Sequence, residues 1–303
     1  MTVQGHIHRG RFAPSPTGPL HFGSLVAAVG SYLDARAQGG EWLLRMEDID
    51  TPRNVAGAAA DILKTLEAFG FEWDGPVLFQ STRLDAYAAA LERLKRAGLA
   101  YGCACSRKEI ADSARHAAVD GGLAYPGTCR AGLPPERSVR AWRLRVTDEE
   151  IAFADRLQGR VAQHLEHDVG DFVLLRADGL FAYQLAVTVD DAFQGISSVV
   201  RGADLLASTP RQIWLQRCLG FAAPEYAHLP VAANAAGEKL SKQTRAAPLR
   251  TDRAAAELVG ALRFLGQPAP GGLENAPIGE VWSWAKTNWN FAAIPRRPAI
   301  AVP

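Results

Sequence analysis

His21, Gly23 and Ser24 close a run stiffened by Pro14, Pro16 and Pro19, and their types suit an anion. An imidazole can donate to a phosphate, a glycine lets a ligand approach the backbone, and first-turn N–H groups carry the positive end of a helix dipole. Far downstream, Lys239-Leu240-Ser241-Lys242-Gln243 offers two ammonium groups on a loop. Alone, the first segment reads as a proline-rich turn with a surface histidine and the second as a solvated loop; together they describe a nucleotide site. A third constellation is Cys103, Cys105 and Cys129, with Gly121-Gly122 between them. Three cysteines joined by a flexible stretch point to zinc rather than to disulfides. A reduced cluster of buried thiols is the alternative, and His116 is the conventional fourth ligand by chemistry. Cys218 follows the helical pattern of Ile213, Leu215 and Leu219 and belongs to the core.

Elements that could position these groups follow from the apolar periodicity. A strand near residues 9–12 ends before Pro14, since the residue preceding a proline is pushed to extended geometry. Leu25, Val29, Tyr32 and Leu33 recur at helical spacing and Gly39-Gly40 stops them, so a helix over about 20–38 holds His21, Gly23 and Ser24 in its first turn. A strand over 42–46 and helices over about 56–69 and 83–97 repeat the alternation. Ser106 and Glu109 make a capping box, 121–135 reads as loop, and 141–175 holds short strands. Residues 183–201 return to the parallel sheet, Thr209 caps a helix opened by Pro210, and 250–264 forms a further helix. The alternation predicts an α/β fold, a Rossmann-type doubly wound parallel sheet with ligands at the carboxyl ends of its strands.

Composition bounds the class. A chain of 303 residues with 48% hydrophobic content can bury a substantial core, and no apolar run approaches the roughly 20 residues that span a bilayer. Residues 1–11 lack the apolar segment of a signal peptide, so a cytoplasmic location and no membrane partner are expected. A monomer is the expected state. A formal charge of +1 excludes a nonspecific nucleic-acid coat, leaving local patches for any RNA contact. Arg130, Arg137, Arg140, Arg143 and Arg145 form one basic stretch, read first as a solvated face.

The paired signatures His21-Phe22-Gly23-Ser24 and Lys239-Leu240-Ser241-Lys242-Gln243 resemble those of class I aminoacyl-tRNA synthetases, with Ser24 and Gln243 as variant positions. The segments 11–18, 44–50 and 183–187, with Asp190-Asp191 and 201–206, are similar to glutamyl-tRNA synthetase blocks in their usual order. The resemblance covers roughly 9–245. It implies that His21, Lys239 and Lys242 are catalytic and that His21, Gly23, Ser24 and Lys242 bind ATP with magnesium. It also implies that Arg11, Ser15, Glu47, Tyr183 and Arg201 bind glutamate. That set makes chemical sense. Arg11 and Arg201 can each fork onto a carboxylate, Glu47 suits the ammonium, and Ser15 and Tyr183 add neutral hydrogen bonds. An amide in place of the ligand's side-chain carboxylate leaves a buried arginine poorly satisfied, at a cost of about 1–3 kcal/mol. Arg45, Asp48 and Asp190 read as ordinary salt-bridge residues.

Four divisions follow: 1–100, the first half of the catalytic domain; 101–175, an inserted zinc-containing α+β subdomain; 176–245, the second half with the lysine loop; and 246–303, a short helical region whose Trp282, Trp284, Trp289 and Phe291 fold back on the core. About sixty residues follow Lys242, too few for an anticodon-binding domain. With the three cysteines, this resembles the glutamyl-queuosine tRNA(Asp) synthetase family, in which Cys-x-Cys is followed by Tyr-x-x-x-Cys. The resemblance makes Tyr125 the fourth ligand of a structural zinc. It also implies transfer of activated glutamate to queuosine in the anticodon arm of tRNA(Asp). Glutamylation of an ordinary tRNA 3′ end and a nonenzymatic RNA-binding paralogue are the other readings.

Overall fold

A computed structural model describes residues 7–113, 116–119, 121–234 and 247–301; Lys239, Lys242 and their segment lie outside the described residues. The chain begins β1 (Arg9–Phe12), α1 (Phe22–Ala37), β2 (Glu41–Met46), α2 (Ala58–Ala68), β3 (Leu78–Phe79) and α3 (Leu84–Arg96). The stretch that follows gives β4 (Ala100–Cys103), α4 (Arg107–Ser113), β5 (Ala141–Leu144), β6 (Glu150–Asp155), β7 (Gly159–His164), α5 (Leu165–Asp168) and β8 (Val173–Leu175). Next come α6 (Tyr183–Phe193), β9 (Ser198–Gly202), α7 (Thr209–Leu219), β10 (Glu225–Leu229) and β11 (Val231–Ala233). Past the undescribed segment lie α8 (Ala254–Phe264), α9 (Ile278–Asn288) and β12 (Ala299–Ala301).

Parallel pairing joins β1, β2 and β3, with β2 in the middle and Arg11 opposite Leu43. Trp42, Leu44 and Met46, spaced two apart on one face of β2, are fully buried, and on the other face Arg45 is buried while Leu43 is half-buried. A second sheet has the order β7-β6-β10-β9. Its β9 runs beside β1, where the Ser197 N–H donates to the Arg9 carbonyl at 3.0 Å and the Arg9 N–H to Ser197 Oγ at 2.8 Å. The stretch 101–175 therefore serves two sheets: β4, β5 and β8 make a separate antiparallel one, while the β6–β7 hairpin joins β10.

α1 buries Leu25, Val29, Tyr32 and Leu33 against this frame, and Gly30 sets how closely it docks. A Cβ there would stand 2.5 Å from Leu229 Cδ1, so any larger residue must push the Leu229 side chain of β10 aside. The C-terminal helices complete the same core, with the Trp282 indole donating to the Phe69 carbonyl at 2.8 Å and Trp284, Trp289 and Phe291 packed at its edge.

Three expectations change. His21 is the N-cap of α1 rather than a first-turn residue, with extended backbone at φ −128° and ψ 174°. Tyr183 to Phe193 is helix, not sheet; nearly all of α6 from Leu185 to Asp191 is buried, and a helix buried all round has no apolar face to betray its period. Thr209 is the first residue of α7 behind Ser208, and its hydroxyl is used elsewhere.

Candidate active site

A cavity of about 730 Å³ opens where the carboxyl ends of β1 and β9 meet the amino end of α1. Arg11, Ser15, Glu47, Tyr183 and Arg201 line it, and so do His21, Gly23 and Ser24. The proline turn sets Ser15 beside Glu47, because the Glu47 N–H donates to the Pro14 carbonyl at 2.9 Å. His21 Nδ1 accepts from the Ser24 N–H at 3.4 Å, which makes Nε2 the protonated nitrogen of the neutral ring. Both flanks of the lysine segment are anchored at the same place. Val231 and Ala232 of β11 line the cavity on one side. On the other the chain returns at Pro248, bridged to His21, and Leu249 donates to the Leu20 carbonyl at 2.9 Å.

Behind the cavity lies an ion cluster. Asp191 accepts from Arg11 Nε at 3.2 Å, Arg11 Nη2 at 3.4 Å and Arg45 Nη1 at 2.8 Å, while Arg45 Nη2 reaches Glu47 at 3.4 Å. Arg11 thus commits one edge to Asp191 and keeps Nη1 for a ligand. Arg45 is wholly buried and holds both acids in place, the structural role expected of it. Burial pushes Asp191 up, yet Arg11 and Arg45 outweigh it and hold its carboxyl below the usual range. Glu47 moves the other way: burial raises it against Arg45 and Arg11, so an arriving ammonium would complete its charge balance. Asp190 and Asp48 are structural too. Asp190 accepts from Gln80 at 3.0 Å, Arg83 at 2.6 Å and Tyr87 at 2.6 Å, and Asp48 from the Ser81 N–H at 2.8 Å.

Arg201 is more constrained than a carboxylate fork requires. Its Nε donates to His228 Nε2 at 3.1 Å, its Nη2 to Thr209 Oγ1 at 2.8 Å and Gln212 Oε1 at 2.9 Å, and its Nη1 to the Tyr183 hydroxyl at 3.4 Å. Of five N–H groups, one on Nη1 remains for the cavity, so Arg201 offers a single-nitrogen contact instead of a two-pronged one. Sequence reasoning missed Asp191, Thr209, Gln212 and His228 as supports. The one available signal was a histidine inside the otherwise apolar end of β10, Tyr226-Ala227-His228-Leu229.

The cysteines form the second centre. Among the described residues, Cys103, Cys105 and Cys129 bring their sulfurs within 4.8 Å of one another. Cys105 and Cys129 Sγ are 3.5 Å apart, and the Tyr125 hydroxyl lies 3.4 Å from Cys103 Sγ and 3.6 Å from Cys105 Sγ. Tetrahedral bonds of about 2.3 Å put sulfurs about 3.8 Å apart, so the donor set fits a four-coordinate metal. Burial pushes the Cys105 thiol up to about 11 and raises the Tyr125 phenol, two costs that a divalent cation would reverse. His116 stands outside the cluster, stacked on His167 with ring centroids 4.6 Å apart. Gly170, at φ +72°, allows the close pass of the Tyr125 strand, because a Cβ there would lie 2.3 Å from the Tyr125 carbonyl. The basic stretch is woven into this knuckle: Arg143 is buried over the Tyr125 ring at 3.8 Å, and Arg130 pairs with Asp171 and Glu166.

Fold and site together define a class I synthetase. The family model "tRNA synthetases class I (E and Q), catalytic domain" matches residues 8–257, and the chain belongs to this family. Within it, the chain is 77% identical over 296 residues to the Glutamyl-Q tRNA(Asp) synthetase of Dechloromonas aromatica, covering 98% of each chain. It is 62% identical to the Glutamyl-Q tRNA(Asp) synthetase of Aromatoleum aromaticum, over 95% of this chain and 90% of that one. Among solved structures, it is similar to the glutamate-tRNA synthetase of Elizabethkingia anophelis, with TM-score 0.81, 25% identity and coverage of 98% of this chain and 68% of that one. A glutamate tRNA ligase from Elizabethkingia meningosepticum, in complex with its amino acid, matches with TM-score 0.79 and 27% identity, over 96% of this chain and 66% of that one.

Proposed function

We propose that the chain activates glutamate with ATP to glutamyl adenylate and transfers the glutamyl group to the queuosine base at the wobble position of tRNA(Asp). The observation that carries this reading is the convergence of the glutamate set and the His21 helix end on one cavity, with both flanks of the lysine segment at its rim. Near-full-length similarity to proteins named Glutamyl-Q tRNA(Asp) synthetase supports the choice of acceptor.

In the first step an α-carboxylate oxygen of glutamate attacks the α-phosphorus of ATP and pyrophosphate leaves in line. Such a reaction is accelerated by positioning and by charges aimed at the phosphate oxygens. Glu47 takes the ammonium, Arg11 and Arg201 present Nη1 to carboxylates, and Ser15 and Tyr183 fix orientation. His21 and Gly23 at the head of α1, with Ser24, face the triphosphate, which carries magnesium with it, and Lys239 and Lys242, outside the described residues, are assigned to the same phosphates by the resemblance. In the second step a queuosine hydroxyl attacks the adenylate carbonyl and AMP departs. Cys103, Cys105, Cys129 and Tyr125 would hold a structural zinc, which would tie the end of β4 to the loop before β5.

The test supplies labelled glutamate, ATP and tRNA pools from cells with and without queuosine. Label only in the queuosine-containing pool, sensitive to periodate treatment of that base, is expected. Label on the terminal adenosine of either pool would replace this reading with ordinary charging, and no adenylate formation at all would remove the enzymatic reading.

A further inference from the structure

Arg201 reaches the cavity, but what aims it lies outside. His228 is fully buried and absent from the cavity wall, so it touches no ligand there. Its Nδ1 is 2.6 Å from Asp155 Oδ2, while Asp155 Oδ1 is occupied by the N–H groups of Leu157 at 3.0 Å and Gln158 at 2.8 Å. A carboxylate oxygen in that position only accepts, so Nδ1 carries the proton and Nε2 keeps its lone pair. Arginine Nε can only donate, and it lies 3.1 Å from that Nε2. The tautomer is thereby set at both ends.

We propose that His228, oriented by Asp155, is a positioning residue for Arg201 and through it for a carboxylate of the bound glutamate. The inference rests on the reading that Arg201 contacts glutamate. Because Asp155 ends β6 and pairs in register with Tyr226 of β10, the chain of bonds also ties the β6–β7 hairpin to the amino-acid pocket. The groups facing the ring are Asp155 from β6, Arg201 from β9, Asp204 from the turn after it, Thr209 of α7, whose hydroxyl oxygen is also 3.1 Å from Nε2 and can donate to it, and the rings of Phe153 and Tyr226. Burial and the Arg201 charge oppose protonation, Asp155 and Asp204 favour it, and burial prevails, holding His228 below the usual histidine range. A protonated ring would turn Nε2 into a donor facing a guanidinium.

His228→Gln and His228→Leu are compared with the parent in ATP–pyrophosphate exchange. His228→Leu is expected to raise the KM for glutamate about tenfold or more at an unchanged KM for ATP, and His228→Gln, whose oxygen can accept from Arg201, to recover most of that loss. Parental glutamate KM in both variants overturns the proposal, as does a joint rise of both KM values, the mark of a general structural loss. Arg201→Ala separates the proposal from its premise. If that variant keeps the parental glutamate KM, the pocket reading fails and the proposal with it; if its KM rises while both His228 variants stay parental, the proposal alone fails. Should a variant not fold, the unaltered protein still decides. Nitrogen chemical shifts of His228 should report an Nδ1–H ring with an unprotonated Nε2 between about pH 6 and 8, and an Nε2–H ring overturns the assignment.

Discussion

Asp191→Asn tests the frame behind the pocket most directly. The parent carboxylate meets Arg11 twice, at 3.2 and 3.4 Å, and Arg45 once, at 2.8 Å, with the three side chains only 4%, 0% and 7% exposed for Arg11, Arg45 and Asp191. Charges that close attract by about 4–5 kcal/mol at an effective dielectric near 20, and removing one partner of a buried pair costs about 3–5 kcal/mol net. An asparagine recovers a single acceptor and turns its NH2 group toward a guanidinium. A loss of about 3 kcal/mol is expected, a fall in Tm of roughly 5–10 °C. Thermal unfolding followed by circular dichroism at neutral pH measures it. Glu92→Gln serves as control, since that acid, 57% exposed, pairs with Lys95 one turn along α3 and should lose less than about 1 kcal/mol. Arg11 and Arg45 depress the Asp191 pKa, so its contribution is present above the ordinary value near about 3.9 and is lost as pH falls through the lowered native value. The gap between parent and variant should therefore close only in strong acid. A variant that melts within about 1 °C of the parent at neutral pH would refute the account of the cluster.

Glu47 runs with the opposite sign. Its carboxyl is raised, so its contribution to stability is present below the ordinary value near about 4.5 and lost as pH rises through the raised native value, whereas capture of an ammonium needs the ionised form. The KM for glutamate should climb as pH falls through that raised value, and Glu47→Gln should flatten the climb while raising KM at neutral pH; equally sloped profiles would count against it. His21→Ala and Lys242→Ala should each slow adenylate formation by more than about tenfold with glutamate KM within about twofold, and unchanged pyrophosphate exchange would reject both roles. Metal analysis should find one zinc in the parent and none in Cys129→Ser, which should become protease-sensitive between β4 and β5; full zinc in the variant, or none in the parent, would refute the metal site.

Legibility followed the range of the interactions. α1 could be read because Pro14, Pro16 and Pro19 precede it, its apolar residues keep one period, and Gly39-Gly40 ends it. The capping box was equally local: Glu109 Oε2 accepts from the Ser106 N–H at 2.7 Å, and Ser106 Oγ accepts from the Glu109 N–H at 3.2 Å. The pocket residues were legible by resemblance, but their division of labour was not. Arg11 and Asp191 are 180 positions apart, Arg45 and Asp191 are 146 apart, and Asp155 and His228 are 73 apart. No periodicity records such pairings, so the two-pronged contact expected of Arg201 could be corrected only after its neighbours were seen to occupy Nε and Nη2. The basic stretch was legible in part: Arg137 and Arg140 are exposed, but Arg143 is buried and the acids that neutralise Arg130 come from the far end of the insertion.

Selectivity for an acidic ligand then becomes a question of summed charge. Arg11, Arg45 and Arg201 bring three positive charges and Glu47 and Asp191 two negative ones, leaving one positive charge among side chains between 0% and 9% exposed. Glutamate at neutral pH carries two carboxylates and one ammonium, and its single excess negative charge balances that remainder. Glutamine carries no excess. Seating it would leave a buried guanidinium with a neutral amide, a deficit of about 1–3 kcal/mol and so about fivefold to about 150-fold in discrimination. Arg45 and Asp191 contribute to this balance without lining the cavity. They also hold Glu47 and Arg11 in place, so the bonds that stabilise the carboxyl ends of β1 and β2 are the ones that set the charge a ligand must bring.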